Sequence, residues 1–255
     1  MKIKIFSVFM ILCPCFSYAA DISVGLSSDT AHITQNNDTI NQQSAVLKYK
    51  YEHDLSVQSS ISWVQNRYHN NGITGQVGFV KSVSDDADIA VNIGTSNKFS
   101  DYLSRYYVNA RLEYYIDDAV SVAPIYKEYH FTNHAPLYQA GIRTTLQNSF
   151  ADYDMISYLT PIIQNQSDSL NMAIDMGTGF FTHHYGGYGV SFVVGQGTYQ
   201  SNMLTYFSDS GGYYGIKPKF SYPVTANMDM NLTTDIIKLT DYSVYAGGLN
   251  FLYHF

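Results

Sequence analysis

Histidine, serine and carboxylate side chains are the residues of this chain best suited to chemistry. Eight histidines occur: His32, His53, His69, His130, His134, His183, His184 and His254. Hydrolysis by a serine nucleophile would need a serine, one of these histidines and an acid or amide converging on one point. His130 and His134 flank one expected loop, with Asp101 and Asp152 elsewhere, but no local signature ties them into a triad. A protease built on paired acids has its nearest echo in Asp152 and Asp154. Solvated loop residues account better for all of these. His183-His184-Tyr185-Gly186-Gly187 reads as a turn, and a turn could aim both rings at one ion. No third ligand accompanies them, so neither a metal nor a cofactor is expected. Gly177-Thr178-Gly179 and Gly195-Gln196-Gly197 lack the lysine and the strand-loop-helix setting of a phosphate loop.

The remaining charges fall on one face of alternating segments. Lys48, Lys50, Arg105, Arg111, Glu113, Arg143, Asp175, Lys217, Lys219, Asp229 and Asp235 are expected to point into the interior of a barrel, with Glu52, Asp88 and Asp154. Paired with one another, such groups make a plug and the barrel is a closed anchor. Segregated onto separate walls, they make an aqueous constriction that sorts solutes by charge and size.

Strands must position these residues, and the period-2 pattern places fourteen of them, with twelve as the fallback and 169–196 as the doubtful stretch. They span about 21–29, 43–52, 55–66, 73–82, 87–96, 103–116, 119–131, 137–148, 151–162, 169–178, 187–196, 212–223, 228–238 and 243–255. In the sixth, Tyr106, Val108, Ala110, Leu112 and Tyr114 oppose Arg105, Tyr107, Asn109, Arg111 and Glu113. The seventh fits least well, because Lys127 and Glu128 lie on opposite faces. The polar faces also carry Gly25, Gly78, Gly94, Gly141, Gly177, Gly189 and Gly195, small residues that suit the inner wall of a narrow barrel. A soluble sandwich would alternate too. Near absence of charge on the apolar faces favours lipid. Short links such as Asp117-Asp118 alternate with longer ones at 30–42, 66–72, 97–102, 132–136, 163–168, 197–211 and 239–242, the rhythm of periplasmic turns and extracellular loops. The expected fold is therefore an all-β, closed antiparallel transmembrane barrel.

Composition agrees. Mean hydropathy is −0.13, and no apolar run after residue 20 approaches the ~20 residues of a membrane helix. Twenty-four tyrosines and 14 phenylalanines suit membrane interfaces. Residues 1–19 read as a secretory signal peptide: Lys2 and Lys4, an apolar stretch from Ile5 to Phe16, then Ser17-Tyr18-Ala19. Cleavage falls after Ala19, with Ala20 as the neighbouring choice, and leaves residues 20–255 as one barrel domain. A lipid anchor at Cys15 is the rival reading, but Leu12-Cys13-Pro14 is a poor lipobox. Both cysteines lie in the leader, so no disulfide is available to the remainder. Residues 20–255 hold 12 basic against 21 acidic residues, a net charge of −9 that argues against nucleic acid as a partner.

Gly248-x-x-Phe251-x-Tyr253-x-Phe255 resembles the C-terminal signal by which the barrel-assembly machinery recognises outer-membrane barrels. The chain as a whole resembles the YaiO-like outer-membrane barrel family through Ala45 to Tyr51, Tyr106 to Tyr114 with Asp117-Asp118, Tyr126-Lys127-Glu128-Tyr129, Ser169 to Met176 and Gly195-Gln196-Gly197-Thr198-Tyr199. The resemblance implies a bacterial outer-membrane location and an envelope role, with outer-membrane lipid, saccharide or envelope secretion proteins as partners. It carries over no catalytic residues. Three functions stay open at this level: a non-enzymatic pore or secretion-associated barrel for hydrophilic solutes or saccharide, an enzyme with a rim active site, and a closed structural or adhesive barrel.

Overall fold

The computed structural model describes residues 20–35, 37–51, 55–66, 71–97, 103–150, 153–182, 186–200, 205–206 and 211–255. The expected leader lies outside the described residues. The strands are β1 (Ala20–Ile33), β2 (Asp38–Tyr51), β3 (Leu55–Asn66), β4 (Asn71–Ser84), β5 (Ala87–Ser96), β6 (Tyr106–Tyr115), β7 (Val120–His130), β8 (Leu137–Phe150), β9 (Tyr153–Gln166), β10 (Ser169–Thr182), β11 (Gly186–Gln196), β12 (Tyr199–Gln200), β13 (Thr205–Tyr206), β14 (Gly212–Thr225), β15 (Met228–Leu239) and β16 (Ser243–His254). β12 and β13 pair only with each other. The other fourteen form a closed barrel in which every neighbour is antiparallel and β1 closes onto β16. Phe255 extends the seam, its N–H donating to the Ile22 carbonyl at 3.0 Å.

Ala20 and Phe255 lie at one end of the barrel, called here the terminal end; the connection after β1 lies at the other, the loop end. Several strands run further toward the loop end than alternation indicates. The expected loop at 30–42 shrinks to the link between Ile33 and Asp38, and that at 163–168 becomes a turn of Ser167 and Asp168, with φ of 51° and 62°. The reason is a change of inner-face chemistry. At the loop end Ala31, Ile33, Ile40, Val64, Ile237, Leu239 and Val244 point inward and are almost fully buried. A polar-inside rule ends each strand where the inside turns apolar.

The outward positions form an apolar belt. Ile61, Ile93, Leu112, Ile142, Leu159, Phe192, Leu232 and Ile236 are each between 44% and 54% exposed, as side chains facing lipid must be. Aromatic pairs ring the terminal end: Tyr49 with Tyr51, Phe150 with Tyr153, Phe180 with Tyr188, Phe220 with Tyr222, and Tyr253 with Phe255. Among the described residues three outward charges break the belt, all near strand ends. Lys81 and Lys238 can extend their ammonium groups to the interface. Glu128, the residue that made the seventh strand fit poorly, faces outward and is held by the Tyr126 hydroxyl at 3.0 Å and by His130. Tyr106 stacks on His130 at 4.2 Å. Lys127 takes the inward side.

Inward glycines follow a rule that alternation alone does not reveal. Each of several sits directly across the ladder from a bulky inward residue: Gly94 opposite Tyr107, Gly177 opposite Tyr158, Gly195 opposite Tyr213, Gly215 opposite Ile237, and Gly25 opposite Leu252. A Cβ at Gly94 would collide with the Tyr107 ring, and one at Gly195 would lie 2.7 Å from Tyr213. The missing side chain lets the neighbour's ring lie flat along the inner wall. Gly75, on the outer face, has nothing within 4 Å of such a Cβ. Gly94→Ala should therefore cost roughly 1–3 kcal/mol by overpacking, whereas Gly75→Ala should leave the urea midpoint of the folded barrel unchanged or raised. Leu112→Arg tests the belt, with an expected cost of ~2–4 kcal/mol if it lies near the midplane; the same titration reads it.

Candidate functional site

The lumen is the site, because it gathers the charged side chains that the belt excludes. Lys48, Lys50, Arg111, Glu113, Arg143, Asp175, Lys217, Lys219, Asp229 and Asp235 all occupy inward positions of their strands. Arg105 does not. β6 begins at Tyr106, and Arg105 lies in the preceding connection, exposed, its backbone bridging Ser96 and His130. The expected strand over 103–116 started too early, because Arg105 keeps the period-2 phase of the wall without being part of it. Glu52 lies outside the described residues. Lys127 is the inward cation that sequence reasoning passed over; its signal was the same phase that places Ser121, Ala123 and Tyr129 inside.

Some charges are paired and some are not. Lys217 lies 3.4 Å from Asp175, and Arg111 3.1 Å from Glu113. Asp175 also accepts from the Tyr158 hydroxyl at 3.1 Å. Asp88 accepts from Ser82 and Tyr115, and Asp235 from Tyr199 at 3.3 Å. Arg143 donates to Thr160 at 3.1 Å, and its guanidinium lies 4.6 Å from the Tyr158 ring centre. Among the described residues neither Arg143 nor Lys127 has a carboxylate at ion-pair distance.

Two cavities of about 360 Å³ each lie inside the barrel and share Gln58 and Gln76 as lining residues. One follows the β14–β16 and β1–β4 wall, where Asp29 and Asp235 balance Lys217 and Lys219 among serine, asparagine and threonine side chains. The other follows β3–β8 and carries Arg111, Lys127 and Arg143 with no acid in its lining. At the loop end the lumen narrows into the apolar layer described above. Tyr199, from the connection between β11 and β14, is only 2% exposed there and packs on Tyr213 with ring centres 5.3 Å apart; Leu103 joins the same layer.

Of the histidines, His53, His69, His183 and His184 lie outside the described residues, as do Asp101 and Asp152. His130 belongs to the outer face, away from the lumen. His32 meets Thr39 at 3.3 Å at the loop end. No group of three or more histidine, aspartate or glutamate side chains gathers among the described residues in a way that could hold a metal.

The structure does bring together a serine, a histidine and an aspartate that sequence reasoning missed. At the terminal end the Ser23 hydroxyl lies 2.9 Å from His254 Nδ1, and His254 Nε2 lies 2.9 Å from Asp229. In serine hydrolases the serine meets Nε2 and the acid meets Nδ1; here the order is reversed. Ser23 is 8% exposed and is the direct ladder partner of His254 across the closing seam. These bonds tie β1, β16 and β15 together where the barrel closes. No spacing could have shown this, since Ser23 and His254 are 231 positions apart. Replacing Ser23 with alanine or Asp229 with asparagine should lower the stability of the closed barrel by about 1–3 kcal/mol. Urea titration followed by the gel shift between folded and heated protein measures it.

No family model matches the chain, and no curated protein matches it. Among solved structures it is similar to OccK7 (OpdD) of Pseudomonas aeruginosa, with a TM-score of 0.50 and 9% identity over 94% of this chain and 99% of that one. It also matches the KdgM porin, with a TM-score of 0.46 and 12% identity over 91% and 99% of the two chains. The translocator domain of autotransporter NalP from Neisseria meningitidis matches with a TM-score of 0.43 and 8% identity over 98% and 93%. At such identities the likeness is one of fold. Closed barrel, apolar belt and aromatic ring together describe an integral outer-membrane β-barrel.

Proposed function

We propose that this chain is a non-enzymatic outer-membrane pore for small hydrophilic solutes. The observation that carries the reading is the pair of polar cavities inside the barrel, lined by charges and amides and joined at Gln58 and Gln76. A plugged anchor would have little use for Lys127 and Arg143 left without carboxylates. The YaiO-like resemblance and a place beside saccharide-secretion proteins fit the same envelope role and rest on the segments quoted above.

The apolar layer at the loop end sets how this pore would conduct. A hydrophobic constriction blocks ions by dewetting unless it widens. Conductance of the purified barrel in a planar bilayer should be small and intermittent, and Tyr199→Gly should raise it by opening the layer. Silence in both proteins, under conditions where a known porin conducts, would leave the closed anchor as the better account.

The C-terminal motif supports a second expectation. Phe251, Tyr253 and Phe255 face outward in the aromatic ring, while Gly248 faces inward and makes room for the Asp29 carboxylate. The side chains a recognition machinery would read are thus on the lipid side. Deleting Phe255 should reduce the surface-exposed, protease-resistant barrel in cells and leave unfolded chain in the periplasm.

A further inference from the structure

The inner wall carries a ladder row rich in amides. Ladder pairing runs from Gln58 across Gly78 to Asn92, then Asn109, Lys127, Gln139 and Gln164, each directly opposite the next on the neighbouring strand. Such a row climbs the barrel because its strands are tilted. Gln58 is near the terminal end of β3, which starts at Leu55, and Gln164 is near the loop end of β9, which stops at Gln166. The amide oxygens of Asn92, Asn109 and Gln164 are buried and have no hydrogen-bond partner among the described residues. Buried acceptors left open are costly, and two of these residues, Asn92 and Asn109, line the cavity along β3–β8. Beside the middle of this row stand Lys127 and Arg143. The nearest acid, Asp175, shares a small cleft with both but is already held by Lys217 and Tyr158.

We propose that the cavity along β3–β8 binds a hydroxylated carboxylate of monosaccharide size, with Lys127 and Arg143 receiving the carboxylate and the amides of Gln58, Gln76, Asn92 and Asn109 its hydroxyls. The inference rests on the pore reading only for the ligand's route, since the site stands whether or not the barrel conducts. The cavity of about 360 Å³ is roughly twelve times the ~30 Å³ share of one liquid water, room enough for such a ligand with some of its hydration. Neither feature suffices alone. Cations without the amides would take any small anion, and amides without the cations would take a neutral sugar as readily.

Calorimetry on the full barrel folded in detergent micelles separates these cases, with glucuronate, glucose and propionate as probes. Glucuronate should bind about tenfold or more tightly than either of the others, the margin expected of added charge-assisted hydrogen bonds. Lys127→Gln with Arg143→Gln should bring glucuronate down to the level of glucose. Asn109→Leu should bring it toward propionate, and carries the test if the double variant fails to show a folded gel shift. Lys238→Gln, on the outer face, should bind as the parent does. Equal affinities for the three probes, or a glucuronate preference that survives in the double variant, would overturn the site. Bilayer recordings keep the two readings apart. Binding without conductance would remove the pore and keep the site, while conductance without glucuronate binding would do the reverse.

Discussion

Closure of β1 onto β16 is the constraint on which the other features depend. A sheet edge in hydrocarbon would leave unpaired N–H and C=O groups at several kcal/mol each. Joining the edges removes them, but it also fixes the circumference at fourteen strands and with it the volume that inward side chains must share. The seam is secured on both levels: by the backbone ladder from Ser23 to Ile33 with its partners, and by the side chains of Ser23, His254 and Asp229. The inward tyrosines and their opposing glycines are the response to the limited volume. They place rings against the wall where protruding rings would block the lumen.

The lumen is graded along its axis. The terminal end holds hydrogen-bonded acids and histidine, the middle holds amides and two cations without carboxylates, and the loop end is apolar. Water and ions would meet little resistance through the first two zones and most at the third. On the pore reading, that ordering makes the apolar layer, with Tyr199 in it, the step that decides passage, and the middle zone the place where a solute would dwell.

Much of the barrel was legible because lipid imposes a strict rule on outward positions. Leu112, Ile142, Leu232 and Ile236 could be placed outside from alternation with charged partners, and the number of strands followed. Inward positions obey no such rule. Ile33, Ile40 and Leu239 are inward yet apolar, so strands appeared to stop early, and Arg105 kept the phase of a wall it does not join. Lys127 was hidden by Glu128 beside it, since two adjacent charges face opposite ways and only the phase of Ser121, Ala123 and Tyr129 says which enters the lumen. The Ser23–His254–Asp229 contact and the amide row are products of register between strands, which a period-2 pattern leaves free.

The glycine–tyrosine pairs change what a unit of sequence means in this barrel. At Gly94 and Tyr107, or Gly195 and Tyr213, a large side chain faces an absent one, and a Cβ added at the glycine meets the ring. What is held constant is the combined volume of the pair. Substitution at either position alone strains the wall, while an exchange that trades bulk from one strand to the next preserves it. In related chains the two positions would then vary together, with the ring appearing now on one strand and now on its neighbour, and the bore of the barrel little altered.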